Sequence, residues 1–158
     1  MYKIATITLS IIIFQIFIPS ITLYELVIVP DVLIIFLSYI GFYYGRFYTI
    51  MMGFLLGISQ DLMTQIDLMG AMAFTKSALG FCLGTLNLYI NIWSGEFRLL
   101  FIFFMYLMHF FIFYFIKFNG VSISLLVFFK IIIINSILSF TLLYIIDKIL
   151  FENSIRKK

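Results

Sequence analysis

Gly53, Gly57 and Asp61 recur at four-residue intervals inside the apolar run Gly53-Phe54-Leu55-Leu56-Gly57-Ile58-Ser59-Gln60-Asp61-Leu62. Each step of four residues turns an α-helix by about 400°, so successive members drift by only about 40° and share one stripe. Glycines on such a stripe let a second helix come close. A carboxylate at its end is costly to turn toward hydrocarbon. Protein or a water-filled cavity must therefore cover this side of the helix. Packing alone accounts for the glycines, but Asp61 requires a polar partner as well.

The rest of the chain leaves few places for water. Of its 158 residues, 65% are hydrophobic and 11% charged. A soluble domain this small cannot hide so much apolar side chain, because its surface is too large for its volume. Lipid must be the main solvent. A spanning helix needs roughly 20 apolar residues. Six spans fit, at about 4–23, 27–45, 47–64, 68–90, 97–117 and 121–146. The expected fold is all-α: a polytopic membrane protein, a compact bundle of about six transmembrane helices. Residues 1–158 then form a single integral membrane domain.

The first run follows Lys3 and has the outline of a signal peptide. It lacks a small-x-small cleavage site, so it reads as an uncleaved span. Thr22 to Glu25 is the first connection, and Pro30-Asp31 opens the second span. Proline suits a first helical turn, where its missing N–H has no partner to lose, and an acid suits the positive end of the helix dipole. Gly45-Arg46-Phe47, Ser94-Gly95 and Lys117-Phe118-Asn119-Gly120 read as turns. In the fourth span Ala73, Lys76/Ser77, Gly80 and Gly84 follow the spacing of one helix side.

Six spans place both termini on one side. That side would carry Lys3, Arg46, Arg98, Lys148, Arg156, Lys157 and Lys158, whereas the other would carry Lys117, Glu25 and Asp67. The positive-inside rule then puts both termini in the cytoplasm. In this frame Lys76, Lys130 and His109 lie roughly 12 Å from the outer ends of their spans at 1.5 Å per residue. Asp31 and Asp61 sit at outer helix ends. Five titratable groups on five spans thus fall in the outer half. The expected arrangement is an outward-facing polar pocket in which Asp31 or Asp61 pairs with Lys76 or Lys130. The alternative is snorkelling, in which each lysine stem runs along its helix to the headgroups. A lone His109 fits a hydrogen-bonded helix residue better than a ligand or a proton relay.

Catalytic chemistry has little to work with. Cys82 and His109 are the only residues of their types. No His-Glu-x-x-His, Cys-x-x-Cys or Gly-x-Ser-x-Gly pattern occurs. Asp31 and Asp61 could form an acid pair in principle, but nothing else supports an intramembrane enzyme. No enzyme activity, metal or cofactor is expected. A net charge of +3 follows from orientation and is no argument for nucleic acid. The 21 Phe and 10 Tyr are lipid-facing bulk and interfacial anchors.

Three pieces of the chain together carry a resemblance. They are Pro30-Asp31 at the start of span two, Gly53-Phe54-Leu55-Leu56-Gly57 with Asp61 in span three, and Met69-Gly70 opening span four. They resemble the rod shape-determining protein MreD family, small bacterial inner-membrane proteins with Gly-Phe-x-x-Gly-x-x-x-Asp in the third span. The resemblance implies a non-enzymatic scaffold of the cell-elongation machinery. Its partners would be the bitopic protein MreC and, indirectly, the actin-like filament protein and the peptidoglycan synthases. Glycine faces such as Gly53/Gly57 and Gly80/Gly84 would pack internally or receive a partner's single span. The family is also similar in fold to the vitamin-binding subunits of energy-coupling-factor transporters, which offers an alternative function. Those subunits carry Ala-x-x-x-Ala in their first span, and here Ala5 has no partner at that spacing.

Overall fold

The computed structural model describes residues 2–18, 21–23, 26–28, 30–64, 69–120, 123–149 and 155. Glu25, Asp67 and the basic residues Arg156, Lys157 and Lys158 lie outside them. The described residues are helical apart from one short hairpin. The order is α1 (Tyr2–Ile16), β1 (Ile21–Leu23), β2 (Leu26–Ile28), α2 (Val32–Tyr44), α3 (Arg46–Thr64), α4 (Ala71–Leu83), α5 (Thr85–Leu88), α6 (Gly95–Lys117) and α7 (Leu125–Ile149).

The first expected span, to residue 23, is too long. α1 ends at Ile16, and the Phe17 and Ile18 amides donate to Phe14 and Gln15 carbonyls three residues back. Pro19 follows in sequence, and a residue before proline is steered out of helical geometry. β1 and β2 then pair antiparallel, with Ile21 opposite Ile28 and Leu23 opposite Leu26. Ile21, Thr22, Val27 and Ile28 are β-branched and favour extended backbone. This hairpin interrupts an otherwise all-helical architecture, which agrees with the all-α expectation, and delays the second helix from about residue 27 to Val32.

Gln15 ties the end of α1 to the start of α2. Its Nε2 donates to the Pro30 carbonyl at 2.9 Å, and its Oε1 accepts from the Val32 amide at 2.8 Å. α2 is the central helix, touching α1, α3, α4, α5 and α7. Ile34, Leu37 and Phe42 on it are fully buried, alongside Leu56, Leu83, Leu86, Ile102 and Leu143 from its neighbours. Gly45, at φ +78°, reverses the chain between α2 and α3 as a single residue, a conformation open to glycine at little cost. The expected fourth span is two pieces, α4 and α5, meeting at Gly84. The sixth runs past residue 146 to Ile149.

α6 and α7, of 23 and 25 residues, are long and apolar enough to cross a membrane; α1 and α2 contribute shorter apolar helices. The exposed side of α6 is a continuous apolar stripe of Phe97, Leu100, Phe104, Met108, Phe111 and Phe115. Leu126, Ile133 and Ile137 do the same on α7. Surface of this kind requires an apolar solvent or a partner.

Candidate functional site

α3 and α4 pack against each other more extensively than any other two elements. The seam between them holds all four singled-out glycines, running antiparallel. A methyl group on Gly53 would meet the Lys76 carbonyl, and one on Gly57 would meet the Ala73 and Met72 backbone. In the other direction, a methyl on Gly80 would lie 2.6 Å from the Thr49 carbonyl, and one on Gly84 would meet the Arg46 backbone. Each glycine therefore faces main chain, which cannot move aside as a flexible side chain would. The seam is filled from within the chain, so none of these glycines is free to receive a partner's helix.

Asp61 closes the seam. It is 3% exposed. Its Oδ2 accepts from the Gly70 and Ala73 amides and its Oδ1 from the Met72 amide, each at 3.1 Å. Gly70, at φ +97°, is the N-cap residue of α4 and has no side chain to cap with. A carboxylate from α3 supplies what the local sequence lacks, satisfying orphan amides at the positive end of α4. This places Asp61 as a cap and not as a lysine's counter-ion. Asp61→Ala should cost about 3 kcal/mol or more through three lost charge-assisted bonds. Asp61→Asn, with one acceptor oxygen left, should fall between. Thermal unfolding of the detergent-purified variants measures both.

Asp31 has two roles at once. As N-cap of α2 it accepts from the Leu33 amide through Oδ1 at 3.0 Å. Its Oδ2 forms an ion pair with Lys76 Nζ from α4. This is the single ion pair among the described residues, and Lys76 is 0% exposed. Snorkelling is therefore not what Lys76 does. His109, 2% exposed, lies within electrostatic reach of both charges. Neither ring nitrogen makes a well-formed hydrogen bond among the described residues, and the Thr75 backbone is the polar group beside the ring. Nearby polar groups pair among themselves: Ser38 Oγ with Tyr106 Oη at 2.7 Å, and Asn135 Nδ2 donating to Tyr114 Oη at 3.1 Å.

The outward-facing pocket expected from five titratable groups takes a different form. Asp31, Lys76 and His109 come together in a closed cluster that their burial shuts off from bulk water. Asp61 caps α4. Lys130 is exposed on α7 and takes no part. The reason is helical phase: Ile131, Asn135 and Ser139 face inward, whereas Lys130 shares the outward stripe with Leu126, Ile133 and Ile137. The cluster has the chemistry of a structural ion pair. Among the described residues no group of three His, Cys, Asp or Glu side chains is placed to hold a metal.

The chain matches no known protein-family model, no curated protein and no solved structure. What it does must therefore be argued from its own residues. Three of these had no signal in the sequence beyond a polar letter in an apolar run. Gln15 clamps α1 to α2. Asp147, just past the expected end of the sixth span, is a buried residue of α7 that accepts from Tyr39 Oη at 3.2 Å and from the Ile155 amide at 3.4 Å. Arg98, counted above among the basic residues that set the orientation, is buried in the first turn of α6.

Proposed function

We propose that this chain is a six-span, non-enzymatic scaffold of the bacterial inner membrane, with both termini in the cytoplasm. It binds the bitopic rod-shape protein MreC and, through it, helps position the actin-like filament protein and the peptidoglycan synthases. The observation that carries this reading is the meeting of the pieces behind the family resemblance. Asp61 of the Gly-Phe-x-x-Gly-x-x-x-Asp stripe binds the amide of Gly70 in Met69-Gly70. Asp31 of Pro30-Asp31 binds Lys76, one and a half turns further into the same helix. Segments scattered through the sequence serve one rigid unit, as a motif that maintains a fold would. The apolar outer stripes of α6 and α7 support the membrane placement.

Because α4 fills the glycine seam, the partner's span docks on the lipid-facing surface and not between α3 and α4. The alternative, a vitamin-binding transporter subunit, has less support, since Asp31, Lys76 and His109 are buried against one another and Lys130 faces outward.

Affinity capture from gently extracted native membranes, read by mass spectrometry, tests the function. Recovery of a bitopic protein with wall-synthesis enzymes is the expected result. Recovery of a coupling subunit with paired ATPases would replace the scaffold reading by the transporter one. Topology is tested separately in a Cys82→Ser background. Cysteine at Asn119, which is exposed, should react with a membrane-impermeant reagent on intact cells. Cysteine at Asn91, also exposed but at the opposite end, should react only after permeabilisation. The reverse pattern would invert the orientation.

A further inference from the structure

Gln15 joins α1 to α2 at one end only, through the Pro30 carbonyl and the Val32 amide. From that clamp toward the other end of α2, the two helices border a groove of about 360 Å³. Its floor is Ile35, Tyr39 and Ile40 of α2, none more than 7% exposed. Ile7 and Ile11 of α1 form a wall, and Ile146 of α7 lines the groove as well. Ile7 is 51% exposed, so the groove opens sideways, toward the bilayer in the membrane reading.

The lining has the polarity of an amphiphile. Among the described residues no charged side chain lines it. Tyr39 donates its hydroxyl to Asp147, which leaves the ring to the floor. Tyr43 and Tyr44, both exposed, stand at the far end of α2. Tyrosines gather at the level of lipid headgroups, and in the orientation proposed above this end faces the cytoplasm. The groove is therefore apolar along its length and carries hydroxyls at its cytoplasmic mouth.

Size decides between a helix and a lipid. The groove follows α2 from Val32 to Tyr44, about 18 Å at 1.5 Å per residue. A partner helix of that length, 10 Å across, fills roughly 1,400 Å³ and does not fit. One hydrocarbon chain is slender and turns its torsions to follow the walls. An empty groove would forfeit the dispersion contacts of its lining. Water does not replace them, because an ordered water needs polar partners.

We propose that this groove is a binding site for one acyl chain of a phospholipid from the cytoplasmic leaflet, with its headgroup at Tyr43 and Tyr44. This rests on the membrane reading of the fold and is independent of the rod-shape partner.

The test uses the full chain in nanodiscs containing a phosphatidylcholine with a photoreactive diazirine midway along one acyl chain. After exchange into lipid-free detergent, native mass spectrometry should find one retained phospholipid. Irradiation should then label the 32–44 and 146 peptides and leave the exposed α6 stripe unlabelled. Ile7→Trp, which adds bulk at the wall, should lower the retained lipid about tenfold or more. Ile146→Phe narrows the groove from α7 and serves if the tryptophan variant does not fold. Leu9→Trp, on the same helix but outside the groove, should behave as wild type. Equal retention by wild type and both groove variants, or label confined to α6, overturns the site. A retained free fatty acid in place of a phospholipid overturns the assigned ligand. So does a protein captured by p-benzoylphenylalanine in place of Ile7 in native membranes, which would put a partner's span there. A chain that stays soluble without lipid or detergent overturns the membrane reading and the site together.

Discussion

Replacing Gly57 with leucine should drive α3 from α4 and leave little folded protein to purify. The first added carbon already falls on the Ala73 and Met72 backbone. Main chain within a helix cannot retreat without moving the whole helix, so the two axes must separate. Separation would also pull Asp61 from the Gly70, Met72 and Ala73 amides and Gly80 from Thr49. Overpacking a well-filled contact commonly costs 1–3 kcal/mol, and here no side chain can relax, so about 3 kcal/mol or more is expected. In a chain of this size that is a fall of roughly 6–12 °C in the unfolding midpoint. Gly57→Ala should show a smaller fall of the same kind. Leu55→Ala, on the exposed side of the same helix, should change stability by no more than about 0.5 kcal/mol. A Gly57→Leu protein that is monodisperse and melts with wild type would show that the seam is not closed.

Lys76→Met should be the most damaging charge removal, at about 3–5 kcal/mol. The cost is not the loss of an attraction but the stranding of Asp31, which is 3% exposed and cannot reach water. Asp31→Asn strands the lysine in the same way. It should leave α2 capped, because asparagine caps as well as aspartate and the Leu33 amide keeps an acceptor. The double variant, Asp31→Asn with Lys76→Met, should cost less than the two single changes added together, because no buried ion remains. Its stability then exceeds the sum of the single effects by about 2–3 kcal/mol, a coupling typical of groups in direct contact. Denaturant or thermal unfolding of the four proteins measures the cycle. Strict additivity would mean that the two charges do not depend on each other.

The stripe Gly53, Gly57, Asp61 was legible because helical periodicity is a property of one chain segment. Its surroundings were not. That Gly80 and Gly84 lie across from Thr49 and Arg46, in the same seam, depends on the direction and register of two helices. Lys76 and Lys130 looked alike in sequence, each a lone lysine in an apolar run. A rotation of one helix about its axis separates them: Lys76 points into the bundle and Lys130 out of it. Asp61 had two readings, a salt-bridge partner or a helix-end residue. The choice between them was made by the bare N-terminus of α4, where Gly70 offers no side chain.

Sequence alone was sufficient for what each segment carries locally. It determined an overwhelmingly apolar chain, a glycine stripe that must be covered, an acid at the start of α2 and the need of each charge in an apolar run for a partner. These follow from composition and from the fixed geometry of a helix. Tertiary structure decided which partner each group received: α4 for the glycines, its first amides for Asp61, Lys76 for Asp31, the outer surface for Lys130 and a phenyl ring for Arg98. Those pairings depend on how helices far apart in sequence are rotated and aligned, and no periodicity within a single segment encodes that.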